Sequence, residues 1–321
     1  MSTMMTSSET AAWLKKHDNY LILTHRRPDG DTLGCAGALA QGLWEAGKTA
    51  YVLFNPESTP RYSPYVEEFY APEGYVPEFI ITVDTASNEV FPKNGDEYIG
   101  TISLCIDHHP SNTLYAELTY LDEKTASCGE IIYALLMEMN GSISVGIAEK
   151  LYVALSTDTG CFAFANTTAN TLRIASLLIE AGAPHRRLNK NLFRTRTFGR
   201  LRIEGMIFSG LEFFYGGTVA IASISGAMIE EAGADEDDMD DIASIPGSVE
   251  GVLAGITIRE LSSVRDCKVS VRTGAAVNAH SVCAHFGGGG HPMAAGFSLE
   301  QPMSEIKTAL IEALAEFLPE V

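Results

Sequence analysis

The sequence predicts an α/β protein with an N-terminal domain built on a parallel sheet and a smaller C-terminal α/β domain. Short, continuous apolar strands alternate with helices in the first half of the 321-residue chain, which is typical of a parallel sheet covered on both faces. Polar residues follow these strands directly, so we expect them to meet at one edge of the sheet. A second group of strands begins after Leu211. These three observations define the predicted architecture.

The N-terminal domain is predicted over residues 1–185. Its strands are expected at Tyr20–Thr24, Thr49–Phe54, Glu78–Val83 and Thr101–Ile106. Apolar residues at helical spacing predict helices at Thr32–Ala46, Ser127–Met139, Val145–Ser156 and Thr168–Ala181.

A helical connector is predicted over residues 186–210, where Leu188, Leu192 and Phe193 form an apolar stripe. The C-terminal domain is predicted over residues 211–321. We expect its strands at Thr218–Ile224, Val252–Ile258 and Lys268–Val271, and a closing amphipathic helix at Met303–Phe317.

Composition limits the functions that this chain can have. The formal net charge of −19 argues against binding to long or duplex nucleic acid, because such a protein repels the phosphate backbone. No apolar run reaches the roughly 18–20 residues that cross a bilayer, and no basic leader precedes an apolar block. The six cysteines form no CxxC pair, which favours reduced thiols. We therefore expect a cytoplasmic protein without a membrane partner.

Carboxylates and histidines follow three of the predicted strands and one helix: His25, Asp29, Asp31, Asp84, Asp107, His108, His109 and Asp158. A lone Asp or an Asp-Gly-Asp segment is also typical of turns and helix caps. Two adjacent histidines after a buried strand are harder to explain as structure alone, and a neighbouring carboxylate can fix the tautomer of a metal-binding histidine. Asp158 at a helix C-terminus opposes the helix dipole unless a cation compensates.

Mixed carboxylate and imidazole ligands without sulfur suit Mn²⁺ better than structural zinc, and Co²⁺ and Mg²⁺ remain alternatives. Six ligands with one shared carboxylate are enough for two metals roughly 3.5–4 Å apart, an arrangement that activates water for phosphoester displacement. The sequence therefore predicts a two-metal phosphoesterase.

A glycine-rich segment, Phe286-Gly-Gly-Gly-Gly-His291, lies near the C-terminus. Its exposed backbone N–H groups can form a concavity that binds an anion, and the alternative is a tight turn before a helix. His291 and Arg272 are further candidates for phosphate contact, although an Arg at a strand end is often only a surface residue.

The order HRRPDGD, VDT, DHH, STDTG and GGGGH resembles the DHH phosphoesterase superfamily, and the last motif resembles its C-terminal DHH-associated domain. The resemblance spans nearly the whole chain. It implies an active site in the cleft between the two domains. One Mn²⁺ would be held by His25, Asp29 and Asp84 and the other by Asp31, Asp84, His108 and Asp158. By the same resemblance, Asp107 supports its neighbours, His109 faces the substrate phosphate, and the nucleotide is bound by Arg272, Gly288, Gly289, Gly290 and His291.

The short two-domain form looks like the nanoRNase and 3′,5′-bisphosphoadenosine (pAp) phosphatase branch of that superfamily. The expected activity is hydrolysis of very short single-stranded oligoribonucleotides to nucleoside 5′-monophosphates, of pAp to AMP, or of both. The alternatives are a phosphodiesterase for linear dinucleotides (pGpG, pApA) or cyclic dinucleotides, an inorganic pyrophosphatase and a nucleotide-binding module without turnover. The sequence leaves open whether the protein forms a homodimer.

Overall fold

The computed structural model describes residues 2–239, 241–261 and 263–319. The chain divides between Thr195 and Arg196 into two compact units. This division falls inside the 186–210 segment that the sequence predicts as a connector, so the residues of that segment are shared between the units.

The N-terminal unit contains a six-stranded sheet in the order β1-β6-β5-β4-β2-β3, and every neighbouring pair in it is parallel. The strands are β1 (Thr3–Met4), β2 (Tyr20–Leu23), β3 (Ala50–Val52), β4 (Phe79–Val83), β5 (Leu104–Asp107) and β6 (Leu118–Leu121). The predicted parallel sheet is thus confirmed. The strands β1 and β6 were not predicted, because β1 has two residues and β6 buries only Thr119 fully.

Helices of the N-terminal unit are α1 (Ser7–Lys16), α2 (Gly30–Glu45), α3 (Cys128–Asn140), α4 (Val145–Asp158), α5 (Ala169–Glu180) and α6 (His185–Asn189). Their ends follow local chemistry. The Thr6 hydroxyl and Glu9 form a capping box at the start of α1, and left-handed Gly141 ends α3. The helix α6 continues into a π-helical turn at Lys190–Arg194.

Glycines allow α2 and α4 to pack closely in antiparallel directions. A Cβ atom on Gly34 would lie 2.6 Å from the Lys150 carbonyl oxygen, and one on Gly30 would lie 2.5 Å from the Thr157 side chain. These close approaches leave no room for a larger residue. The start of α2 therefore lies beside the end of α4, which brings Asp29 and Asp31 to the same end of the unit as Asp158.

The C-terminal unit contains a second six-stranded sheet in the order β11-β12-β10-β9-β8-β7, in which only the β8–β9 pair is parallel. The strands are β7 (Glu212–Phe214), β8 (Val219–Ile224), β9 (Ala254–Glu260), β10 (Cys267–Thr273), β11 (Gly289–His291) and β12 (Ala294–Leu299). The helices are α7 (Phe198–Ser209), α8 (Gly226–Ala232), α9 (Ala279–His285) and α10 (Met303–Leu314). Within the described ranges of both units, every helix is too short or too polar to cross a bilayer.

Candidate metal centre at the carboxyl edge of the parallel sheet

The order of the strands creates a crevice at the carboxyl edge of the parallel sheet. The strand β2 lies between β3 and β4, so the chain leaves β2 toward one side and returns on the other. Such a switch point is where open α/β sheets bind ligands. His25 follows β2, Asp84 follows β4, and Asp107 and His108 lie at the end of the adjacent strand β5.

Two helix N-termini fix the carboxylates of the first motif. Asp29 caps α2, where its Oδ1 accepts a hydrogen bond of 3.0 Å from the Thr32 amide. Asp31 is fully buried, and its two oxygens accept hydrogen bonds of 2.7 and 3.0 Å from the amides of Cys128 and Gly129 at the start of α3. A helix N-terminus favours negative charge, so α3 holds this buried carboxylate in place.

Asp84 lies at the centre of the cluster. Its φ of 53° places the backbone in the left-handed region, which turns the chain sharply after β4. The Oδ2 atom accepts a 2.6 Å hydrogen bond from the buried Thr32 hydroxyl. The Oδ1 atom is buried and has no hydrogen-bond partner among the described residues. A carboxylate oxygen left in this way is costly in a protein interior unless a cation occupies the space beside it.

His108 faces three carboxylates. Its Nε2 atom lies 3.5 Å from Asp84 Oδ1, 3.7 Å from Asp158 Oδ2 and 3.9 Å from Asp31 Oδ2. Burial, followed by the charge of His109, lowers the pKa of His108 and favours the neutral imidazole that metals bind. Its Nδ1 atom lies 3.4 Å from the Thr125 carbonyl oxygen, whereas the side chains bonded to the Asp107 carboxylate are those of His109 and Asn112.

His109 belongs to a different network. Its Nδ1 atom lies 2.8 Å from Asp107 Oδ1, and the Asn112 side chain donates a 2.6 Å hydrogen bond to Asp107 Oδ2. The hydrogen bond to Asp107 raises the pKa of His109 to about 9. Burial acts to raise the pKa of Asp107, but the hydrogen bonds from His109 and Asn112 leave that pKa below its ordinary value. The hydrogen bond between His109 and the buried Asp107 carboxylate therefore orients the imidazole and favours its protonated form.

Potential ligand atoms form three overlapping groups, and within each group they lie within 4.8 Å of one another. The groups are His25, Asp29 and Asp84; Asp31, His108 and Asp158; and Asp84, His108 and His109. The six residues predicted as ligands are thus brought together from four separate stretches of the chain. His109, which was not predicted as a ligand, also lies near Asp84: its Nδ1 atom is 3.6 Å from Asp84 Oδ1.

The electrostatics of this cluster suit cations. Burial, followed by the charges of Asp84, Asp158 and Asp29, raises the pKa of Asp31 well above its ordinary value. Burial and Asp29 raise the pKa of Asp158 to about 7 and also raise that of Asp84. In the described part of the chain, no Lys or Arg forms an ion pair with these carboxylates. Hard or borderline divalent metals fit this set of oxygen and imidazole ligands.

Two polar residues of the cluster were missed by the sequence reasoning. The Thr32 hydroxyl contacts His25 Nε2 at 2.5 Å and Asp29 Oδ1 at 3.2 Å, in addition to Asp84. Asn112 fixes Asp107, as described above. A Thr in the first turn of a helix and an Asn in a loop are common structural residues, so their types alone carry no signal for a site.

The predicted phosphate-binding residues lie in the C-terminal unit. Arg272 on β10 pairs in register with Ala294 on β12, and Ala294 pairs with His291 on β11. Residues opposite one another share a face of the sheet, so Arg272 and His291 lie on the same face. The glycine-rich segment, for which a tight turn before a helix was the alternative interpretation, instead follows α9 and enters β11. A Cβ atom on Gly288 would lie 2.4 Å from the Gly296 carbonyl oxygen, so close backbone packing requires this glycine.

Known protein families match both units. Residues 19–155 match the DHH family, N-terminal domain, and residues 216–320 match the DHHA1 domain. The chain belongs to the DHH family, and it is a hydrolase of phosphoesters. It is 32% identical over 299 residues to the bifunctional oligoribonuclease and PAP phosphatase NrnA of Thermus thermophilus, covering 92% of this chain and 89% of that relative.

Solved structures agree with the fold. An exopolyphosphatase-related protein from Bacteroides fragilis superposes with a TM-score of 0.86 at 22% identity, covering 97% of this chain and 95% of that protein. RecJ from Thermus thermophilus, in complex with Mn²⁺, superposes with a TM-score of 0.57 at 14% identity, covering 98% of this chain and 55% of that chain.

Proposed function

We propose that this protein hydrolyses short oligoribonucleotides to nucleoside 5′-monophosphates and removes the 3′-phosphate from pAp. The observation that carries the proposal is that Asp84 links two ligand groups. It belongs to the group of His25 and Asp29, and its Oδ1 atom lies 3.5 Å from His108 Nε2, a member of the group formed with Asp31 and Asp158. Two neighbouring metal sites are typical of phosphoesterases. The activity in the name of the Thermus thermophilus relative supports the same substrates.

The proposed centre holds two Mn²⁺ ions, one at His25, Asp29 and Asp84 and the other at Asp31, Asp84, His108 and Asp158. The Mn²⁺ in the RecJ complex supports this choice, and Co²⁺ and Mg²⁺ are the proposed substitutes. When bound, such ions stabilise charge on phosphoryl oxygens and lower the pKa of a water nucleophile. The protein's own part is to hold the carboxyl groups in place; because their pKa values are raised, binding of the cations would ionise them.

His109 and Asp107 are the proposed catalytic pair. Asp107 accepts a hydrogen bond from the Nδ1–H group of His109, which leaves the Nε2–H group available for a phosphate oxygen. Since the pKa of His109 is raised to about 9, this proton remains in place at neutral pH. A protonated imidazole donates a charge-assisted hydrogen bond to the negative phosphoryl group as the ester bond breaks.

The C-terminal unit is the proposed source of a second phosphate contact, through Arg272, His291 and the segment Gly288, Gly289 and Gly290. The Gly288 amide already donates a 2.9 Å hydrogen bond to the Cys283 carbonyl, so this glycine contributes close backbone packing and not a donor. An acidic protein of net charge −19 can act on RNA in this way, because it binds one or two phosphates and not a long backbone. Long duplexes are excluded from the proposal for the same reason. We also propose a cytoplasmic location, which the six free thiols support.

The test is hydrolysis of a 5′-labelled RNA series of two to 24 residues in Mn²⁺, with pAp and inorganic pyrophosphate assayed beside it. We expect rapid cleavage of the shortest RNAs and of pAp, and none of pyrophosphate. Equal cleavage at all lengths would contradict the substrate class. Cleavage of the two-residue species alone would favour a phosphodiesterase for linear dinucleotides. The rate measured with an Asp84→Ala variant gives the background hydrolysis of each substrate.

A further inference from the structure

The loop that follows α4 presents an aromatic ring to solvent. Phe164 is 59% exposed, although Phe162 in the same loop packs edge-on against Tyr152 at a ring distance of 5.8 Å. Phe162 therefore serves the core, whereas Phe164 does not. Single exposed apolar side chains are common on this chain, so what distinguishes Phe164 is where its ring is placed and not its exposure alone.

The position of the Phe164 ring is set by a glycine. A Cβ atom on Gly160 would lie 2.4 Å from Phe164 Cε1, so the ring lies directly over the Gly160 backbone. Gly160 also has a φ of 55°, and the left-handed conformation continues through Cys161 and Phe162. A larger residue at position 160 would displace the ring and strain the turn.

Hydrogen bonds hold this loop in one conformation. The amides of Ala163 and Phe164 both donate to the Thr159 carbonyl, at 2.9 and 3.0 Å. The Asn166 side chain donates to the carbonyls of Ala126 and Asp158, each at 3.1 Å. The ring is thus carried on a fixed loop and not on a flexible tip.

This loop begins at the candidate metal centre. Asp158, a member of one ligand group, lies two residues before Gly160, and Asn166 is bonded to its carbonyl. Consecutive Cα atoms are about 3.8 Å apart, so the Cα atom of Gly160 lies at most about 8 Å from that of Asp158. The carboxylates of the centre offer no flat apolar surface on which a base could stack.

We propose that Phe164 is a stacking platform for a nucleobase of the short oligonucleotide bound at the metal centre. The inference rests on the proposed function and adds a base-binding subsite to it. Stacking on an aromatic face tolerates every base, because each base has a π surface. The enzyme would therefore distinguish nucleotides from other phosphoesters without reading a sequence.

The test compares Phe164→Leu with Phe164→Tyr. Leucine keeps the apolar bulk over Gly160 but has no ring, whereas tyrosine keeps the ring. The substrates are a diribonucleotide and an abasic analogue with the same phosphodiester. For Phe164→Leu we expect kcat/KM on the diribonucleotide to fall at least about tenfold more than on the abasic analogue, mainly through KM. Phe164→Tyr should retain the preference. Leu172→Ala, at a 52% exposed position on α5, is the control for loss of an exposed apolar side chain.

A second readout follows the base itself. A dinucleotide that contains 2-aminopurine should lose fluorescence on binding to the wild-type protein and to Phe164→Tyr in Ca²⁺, and less so on binding to Phe164→Leu. If wild-type protein hydrolyses short RNA but Phe164→Leu keeps both the quenching and the preference for bases, the base-binding subsite is refuted and the proposed function is not. If wild-type protein hydrolyses no short RNA, the proposed function fails instead.

Discussion

The two units handle charge in opposite ways. In the N-terminal unit, carboxylates are collected from four stretches of sequence, and the buried Asp31 and Asp84 are held by a helix N-terminus and a hydroxyl group. In the C-terminal unit, the proposed anion contacts come from backbone amides and a partly exposed Arg272 within one short region of chain. The first arrangement suits cations, and the second suits phosphate. Because the carboxylates raise one another's pKa, the loss of one should affect the whole cluster, whereas the phosphate contacts should weaken singly.

The largest expected effect is that of Asp84→Asn. This carboxylate belongs to two of the three ligand groups, so its replacement should reduce bound metal and lower kcat on a diribonucleotide by more than about a hundredfold. Residues that only orient metal ligands already cost 10–100-fold, which sets roughly this lower bound. Metal content by mass spectrometry and steady-state kinetics provide the measurement.

The matched control for that variant is Asp96→Asn, which makes the same change at an exposed position of the N-terminal unit. It should leave metal content and kcat at wild-type values. Full activity in Asp84→Asn would show that the shared carboxylate is not needed and would overturn the two-group arrangement.

Metal binding should strengthen as pH rises. In the metal-free protein, burial and neighbouring carboxylates raise the pKa of Asp158 to about 7 and those of Asp31 and Asp84 above their ordinary values. Metal binding must then release protons, so the apparent affinity for Mn²⁺ should increase by up to about tenfold per pH unit for each proton released near pH 6–7. Calorimetry in buffers of different ionisation enthalpy counts these protons.

The same pKa shifts predict how the stability of the metal-free protein changes with pH. A carboxyl group whose pKa is raised by folding stabilises the fold below its unfolded pKa, and this contribution is lost as pH rises through the folded pKa. Metal-free protein should therefore lose stability from about pH 4 to pH 7 through Asp158. The rise in Tm on adding Mn²⁺ should be larger at pH 8 than at pH 5, and an equal rise at both would contradict the clustered carboxylates.

Arg272→Gln should weaken substrate binding without affecting metal binding in the N-terminal unit. If Arg272 binds a substrate phosphate, its loss removes a charge-assisted hydrogen bond and should raise KM for pAp and diribonucleotide about tenfold. Metal content should stay at the wild-type level, unlike in Asp84→Asn. Arg272→Lys keeps the charge but not the planar donor pair, so an intermediate KM is expected. An unchanged KM in Arg272→Gln would remove this residue from the proposed site.

The sequence predicted the parallel sheet, and it pointed to the carboxylates and histidines that the structure brings together at its edge, because both follow from the same feature. His25, Asp84 and His108 come after apolar strands, and parallel strands must present their carboxyl ends at one edge. It did not predict β11 and β12, whose glycines and alanines lack the apolar pattern of a strand. It also missed Thr32 and Asn112, since a hydroxyl or an amide gains its role only from what the fold places beside it.

A substitution of Thr32 should have the smallest of these effects, because this residue is neutral and only contacts the charged cluster. Its hydroxyl lies within hydrogen-bond distance of His25, Asp29 and Asp84 while the side chain is fully buried. Thr32→Val keeps the shape and removes the hydroxyl, which leaves Asp84 without its oriented donor. We expect Mn²⁺ affinity, measured by calorimetry, to fall about tenfold, at the lower end of the effect of ligand-orienting residues. Thr32→Ser should restore most of this affinity, because it returns the donor. Equal affinity in Thr32→Val and wild-type protein would mean that the carboxylates are positioned by α2 and α3 alone, and that the hydroxyl contributes only packing.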